Sequence, residues 1–245
     1  PLPEKMETLL FSFKSFDAAS AFANSIFDTP LLPAAVEVMT ATAYSCLSMK
    51  GIPDFSTAAF AVAVALEGFV PAVARMATEM TDMARSRGAL ANGSLQDHQH
   101  QSFWLAMSNL ESALGDGHPG LITLKVNSPI SEWTAMINTL ESAFSKANLP
   151  YALQAHAGNG VCLAHLLLDG KDDETMKNAV DAVNRLSTLF SEKDGSLVVQ
   201  TAPSQWKEGL NIWGEPGSAF PVMKRLKEKI DPLGIMNPGR FVGGL

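Results

Sequence analysis

The sequence predicts an α+β fold in which duplicated ferredoxin-like units form one antiparallel sheet with helices mainly on one face. Short stretches of two-residue apolar alternation are interleaved with stretches of helical period. The order strand, helix, strand, strand, helix occurs twice, and a final strand is clear only in the second half. Each half, 1–115 and 116–245, therefore reads as one split βαβ unit, and two such units side by side make one continuous sheet.

In the first half, Leu9, Phe11 and Phe13 alternate with Leu10, Ser12 and Lys14, the period of a half-buried strand. Asp17 is placed to cap a helix whose Ala18, Phe22 and Ile26 share a face. Pro30 and Pro33 mark a turn before Val36 and Val38, a second strand with Glu37 facing away. Ala58 to Leu66 is apolar on both sides, as in a strand covered on both faces, although its alanine also suits a helix. Val73, Met76, Met80 and Met83 mark a helix from about Val70 to Arg87, its methionines read as core filler. Residues 88–102 read as a polar break. Its His98 and His100 point to different faces of any helix, which favours solvation over a metal site. Phe103, Met107, Leu110 and Leu114 form the next apolar stripe, broken at Gly115 to Gly120.

In the second half, Ile122, Leu124 and Val126 alternate with polar neighbours, and Ser131 is placed to cap a helix faced by Trp133, Ile137, Leu140 and Phe144. Pro150 precedes a strand from Tyr151 to Ala157, and Val161 to Leu168 gives another. A helix faced by Met176, Val180, Val183 and Leu186 leads to a strand at Leu197 to Thr201. Asn159-Gly160 between two strands suggests a type I′ hairpin. That turn would oppose Gly158 to Val161, His156 to Leu163 and Gln154 to His165, with Gln154 and His156 on the face away from Leu153 and Ala155. At the C-terminus, Phe220, Met223, Leu226 and Ile230 form an apolar helical face, Pro221 falls in the first turn, and Asp231-Pro232 stops the helix. Two tight turns follow, through Asn237-Pro238-Gly239-Arg240.

A formal charge of −7, with 18% charged residues, excludes the basic footprint that nucleic-acid binding needs. The two cysteines, Cys46 and Cys162, lack a CxxC spacing and read as reduced, buried residues of a cytoplasmic protein. The longest apolar run, Ala58 to Leu66, is far short of the ~20 residues a membrane span requires. The opening PLPEKMETLL, which enters a strand pattern almost at once, suits a piece of a longer chain.

The run MKRLKEKIDPLGIMNPGRF at 223–241 resembles the C-terminal signature of the FAD-linked oxidases, the flavoprotein family of glycolate oxidase subunits, D-lactate dehydrogenases and vanillyl-alcohol oxidase. HAGNG at 156–160 and the PxSxW run at 129–133 resemble landmarks of the same family in the same order. NPGRFVGGL is most similar to the FAD-binding subunit of bacterial glycolate oxidase. The resemblance implies a substrate-covering cap domain of duplicated ferredoxin-like units, with FAD held by an N-terminal domain of the parent protein. It further implies oxidation of a 2-hydroxy acid to a 2-oxo acid and an iron–sulfur partner subunit, in the cytoplasm or peripherally at the inner membrane through partner subunits.

No glycine-rich pyrophosphate loop stands between a strand and a helix here, so the isolated chain is expected to bind FAD weakly or not at all. In the family's 2-hydroxy-acid dehydrogenases the comparable hairpin carries two histidines seven apart which, with a downstream glutamate, hold a divalent metal. Here Leu163 stands seven after His156, and His165 two later is expected diagonal to His156 on the same face. Thr201-Ala202-Pro203-Ser204 replaces the Glu-His-Gly signature, and Met107 falls where the substrate arginine would. No metal is therefore expected. His156 is the candidate catalytic residue, with a satisfied strand histidine as the equal alternative. Asn237, Gly239 and Arg240 are the candidate cofactor-binding residues, with a surface turn paired to a local acid as theirs. A non-catalytic assembly subunit, which the missing ligands favour, and a free-standing ferredoxin-like ligand-binding module stay open beside the enzyme reading.

Overall fold

A computed structural model describes every residue except Pro1, Ser48 and Lys50. Its elements are β1 (Lys5–Phe13), α1 (Phe16–Phe27), β2 (Ala35–Thr40), α2 (Ala41–Ser45), β3 (Phe60–Gly68), α3 (Val70–Ser86), β4 (Ala91–Gln96), α4 (Asp97–Ser108) and α5 (Leu110–Gly115). The second half supplies β5 (Ile122–Asn127), α6 (Trp133–Lys146), β6 (Tyr151–His156), β7 (Val161–Leu166), α7 (Asp173–Ser191), β8 (Ser196–Thr201) and α8 (Phe220–Ile230). One eight-stranded sheet runs β4-β1-β3-β2-β6-β7-β5-β8, and every pairing in it is antiparallel. The α+β reading with a single continuous sheet holds.

β1–β4 occupy one end of the sheet and β5–β8 the other, and the two sets meet where β2 lies against β6. The register there pairs Glu37 with His156, Val38 with Ala155 and Met39 with Gln154. The seam is extended by Ala157 N donating to Val36 O and by Leu153 N donating to Thr40 Oγ1, each at 3.1 Å. Above it, Trp133 Nε1 of α6 donates to Asn24 Oδ1 of α1 at 2.9 Å, and the Phe16 and Trp133 rings meet edge to face.

Four helices, α1, α3, α6 and α7, cover one face, burying Phe22, Ile26, Met80, Leu140, Phe144 and Val183 against the strands' inward residues. The other face is covered in part by α2, α4 and α5. β3 meets that layer with Ala61 and Ala63, whose small side chains allow close approach, while Val62 and Val64 fill the thicker core. The alternation of large and small residues explains why this alanine-rich run is a strand.

Several local expectations are corrected. Ser15, not Asp17, caps α1 by accepting from Ala18 N, and Asp17 lies in the first turn. The supposed polar break holds β4 and the start of α4; only Leu95 of β4 is buried, so this edge strand carries no alternation to read. The stripe from Phe103 to Leu114 is split between α4 and α5. Ser131 sits in a 3-10 turn, Ile130–Glu132, ahead of α6, where no side chain caps the helix.

The hairpin from β6 to β7 is also not a type I′ turn. Among its loop residues only Gly160 has positive φ, at 72°, whereas that turn demands it at both central positions. Residues 157–160 instead form a four-residue loop begun by Asn159 N donating to His156 O, so His156 opposes Val161 and Gln154 opposes Leu163. Gly160 N–Cα–C lies so close to the 128–130 segment that a Cβ would overlap Ser128 O. Gly160 O in turn accepts from Ser128 N at 2.9 Å.

The C-terminal segment keeps its shape mainly through polar bonds. Asp231, buried at 6% exposure, accepts from Ile235 N at 3.0 Å, Met236 N at 2.9 Å and Lys227 Nζ at 2.6 Å. Lys227 first, and then these amides, hold its carboxyl below the usual range. Trp213 Nε1 donates to Arg240 O at 3.0 Å, and the Trp213 and Phe241 rings meet edge to face. The apolar face of α8 is not covered: Met223, Leu226 and Ile230 are exposed, as are Leu233, Ile235 and Met236 beyond it.

Replacing Gly160 by Ala should lower stability by about 1–3 kcal/mol, from left-handed backbone and a blocked approach, read as an earlier midpoint of urea unfolding. An unmoved midpoint would refute this hairpin geometry. Asp231→Ala should open residues 232–245 to limited proteolysis while leaving the thermal midpoint of the sheet nearly unchanged. Because the Asp231 pKa is depressed on folding, tail order should persist above the ordinary Asp range and be lost as pH falls through the depressed value.

Candidate active site

The two-residue period of each strand sends alternate side chains away from the four-helix layer. On that second face, from the central seam out to the β8 edge, lie Glu37 of β2, Gln154 and His156 of β6, Val161 and Leu163 of β7, Lys125 of β5 and Val198 of β8. Here α2, α4 and α5 give out: His156, Val161, Leu163, Lys125 and Val198 are half-buried and Gln200 is exposed. The result is a partly open shelf of Val161, Leu163 and Val198 beside one cation, Lys125, and one imidazole, His156.

Glu37 and His156 face each other across the seam in a short bond from Oε1 to Nδ1. Their surroundings differ: the Glu37 side chain is 5% exposed and that of His156 34%. Burial raises the Glu37 pKa against the pull of His156 and Gln154. The His156 pKa is raised chiefly by its bond to Glu37, with burial and Lys125 working against it. Among the described residues Glu37 Oε2 and Gln154 Oε1, both buried, have no hydrogen-bond partner. Phe27, Leu32, Pro33 and Asn159 line a cleft of about 490 Å³ that opens onto the His156–Glu37 pair.

His165 does not join this pair. It stands opposite Ala152 and Thr123, four residues along β7 from the position facing His156, outside the reach of a diagonal contact. The two-residue change of register moved it away. His165 is fully buried, meets Thr123 Oγ1 at 3.1 Å through Nδ1, and is pushed down by burial to a pKa of about 4. Met107 is core, 3% exposed. Of the HxH pair, His98 is exposed but His100 is buried, against the solvated reading, with Nδ1 2.8 Å from Thr8 Oγ1. Trp104 Nε1 donates to the same hydroxyl at 2.9 Å. Among the described residues no three of His, Cys, Asp and Glu converge as a metal-binding group.

The tail candidates sit elsewhere. Gly239 and Arg240 line a cavity of about 1080 Å³ between β8, the 204–216 segment and the tail, together with Lys207 and Glu215. Asn237, with φ of 48°, lies in the turn outside that lining and accepts from Arg240 N through its carbonyl. Among the described residues no carboxylate lies within ion-pair distance of the Arg240 guanidinium. His156 and Arg240 thus belong to different concavities.

Sequence reasoning passed over three residues. Glu37 carried one signal, a lone acid inside the apolar run AVEVM, but its partner is 119 residues away. Lys125 looked like the polar side of a half-buried strand. Asp231 looked like a helix stop and is the clamp of the tail.

Residues 2–241 match the family described as FAD linked oxidases, C-terminal domain. The chain is 22% identical over 246 residues to the glycolate oxidase subunit GlcD of Bacillus subtilis (strain 168), covering 98% of this chain and 52% of that protein. It is 27% identical over 135 residues to the mitochondrial D-lactate dehydrogenase [cytochrome] of Arabidopsis thaliana, covering 53% of this chain and 23% of that one. Among solved structures, p-cresol methylhydroxylase with substrate bound superposes with a TM-score of 0.69 at 16% identity, over 98% of this chain and 53% of that one. The chain therefore spans about half the length of the glycolate oxidase subunit it matches. With its eight-stranded sheet and its C-terminal signature both in place, the chain belongs to the FAD-linked oxidases as their C-terminal domain.

Proposed function

We propose that this chain is the substrate-covering domain of an FAD-dependent oxidoreductase of the glycolate oxidase type, which oxidises a 2-hydroxy acid to the 2-oxo acid. The observation that carries the reading is the half-buried His156, paired with Glu37, at the margin of the uncovered shelf. The residues present fit the ring end of a flavin, since Val161, Leu163 and Val198 offer half-buried apolar contact. They do not offer a pyrophosphate cradle, and an N-terminal domain supplies it. A bound flavin would supply the acceptor for a hydride leaving the substrate carbon. His156 takes the hydroxyl proton, and Lys125 faces the substrate carboxylate as a point charge. The apolar shelf excludes water around them.

The tail fits the same arrangement. Asn237-Pro238-Gly239-Arg240 turns toward the flavin domain, its guanidinium free for a phosphate or carboxylate. The uncovered apolar stripe of α8 docks on that domain. The two halves, 1–115 and 116–245, act as one cap, and electrons pass onward to an iron–sulfur partner subunit. Among the described residues no helix is long and apolar enough to cross a membrane.

A second reading, a non-catalytic assembly subunit, is favoured by Leu163 on the shelf and Met107 in the core. In the reconstituted complex, His156→Ala should cut turnover ~10²–10⁴-fold, and Arg240→Ala should weaken flavin retention, seen as lost flavin absorbance after gel filtration. Unchanged turnover in both variants would leave the assembly role standing.

A further inference from the structure

We propose that Glu37 is a positioning residue that fixes the His156 ring by accepting its Nδ1 proton, so that Nε2 is presented as the proton acceptor of the shelf. The assignment of that acceptor to a substrate hydroxyl rests on the function proposed above; the dyad itself does not.

Four features of the site carry this. The backbone register places Glu37 directly opposite His156, so the contact is set by the sheet and not by two flexible surface side chains. The carboxylate is buried and the imidazole is not, an asymmetry that makes Glu37 the fixed partner and His156 the one within reach of a ligand. His156 Nε2 makes no hydrogen bond with any described residue, leaving that nitrogen available. Gln154, on β6 with His156, favours the ionised carboxylate together with His156, against burial, which raises the Glu37 pKa.

The proton chemistry closes on these groups. A neutral His156 donates Nδ1–H to Glu37 and holds a lone pair on Nε2. When a hydroxyl proton arrives, the O–H bond breaks, an Nε2–H bond forms, and the imidazolium stands against a carboxylate already in place. Removing that carboxylate should leave the ring free to rotate or to take the other tautomer, and weaken it as a base. The charged groups facing His156 are Glu37 from β2 and Lys125 from β5, which act in opposite directions. Val161 of β7 is uncharged, and the Cys162 thiol lies on the far face, its pKa pushed up by burial.

The test compares Glu37→Gln with the parent protein, using Val38→Ala as a control that weakens the same seam while leaving the dyad intact. Histidine-selective NMR follows the His156 ring as a function of pH. Glu37→Gln should move its titration to lower pH, because the bond that raises it is lost, while Val38→Ala leaves it in place. The acid limb of kcat/KM should move with it, and kcat should fall ~10²-fold or more. An unmoved titration in Glu37→Gln, or an equal shift in Val38→Ala, would overturn the dyad. A shifted titration with unchanged turnover would support the dyad and refute the substrate role of the shelf. If Glu37→Gln does not fold, Glu37→Asp gives the same reading: its shorter reach should also lower the titration, and no shift overturns the proposal.

Discussion

The short seam between β2 and β6 is the constraint on which the arrangement depends. Each four-stranded half could satisfy its own ladders, but a single sheet exists only because Glu37, Val38 and Met39 pair with His156, Ala155 and Gln154. Backbone hydrogen bonds alone contribute little net free energy per pair. The join is made secure from the helix side, where Trp133 reaches Asn24 and Phe16 packs against Trp133. The polar side chains of the seam are thereby held by apolar packing that they do not themselves supply.

A buried carboxylate at such a junction is costly unless it is paired. Valine or leucine at position 37 would pack the seam with no such cost, so the acid is poorly explained by stability. Its partner is only partly buried, and the pair stands where the second helix layer stops. Burial of one member and exposure of the other is the arrangement expected of a proton-handling site, where perturbed titration and access to a ligand must coincide. His165 shows the contrast. It is an equally polar strand residue, fully buried against Thr123 and held neutral by burial.

Periodicity was enough to read much of the architecture, because α3, α6 and α7 each bury a long regular face, whereas β3, buried on both sides, left strand and helix open. It failed where regularity fails. β4 is an edge strand with a single buried side chain, so its residues look like a loop. Asn159-Gly160 matched a tight-turn pattern, yet the neighbouring 128–130 segment takes up Gly160 and sets a longer loop, a tertiary demand no dipeptide reveals. That two-residue difference decides the site, since it separates His156 from His165 and leaves Glu37 as the partner. Cross-strand pairs between distant units are invisible to local patterns, which is why Glu37 read only as an outward-facing residue. His156 drew notice because it lies in HAGNG, a short motif that resembles a landmark of the family.

The tail gives the complementary case of a motif whose reason is internal. The Asp231-Pro232 pair ends α8, and the same aspartate then gathers the amides of Ile235 and Met236 into a compact turn. The turn leaves an apolar helix face and an arginine exposed. The account is tested most directly by a crystal structure of the intact flavoprotein with its cofactor bound. The isoalloxazine ring should lie over Lys125, Val161 and Leu163, beside the seam, with His156 Nε2 directed toward the substrate side of the ring. A ring seated instead between β8 and the tail, or against the four-helix layer, would contradict it.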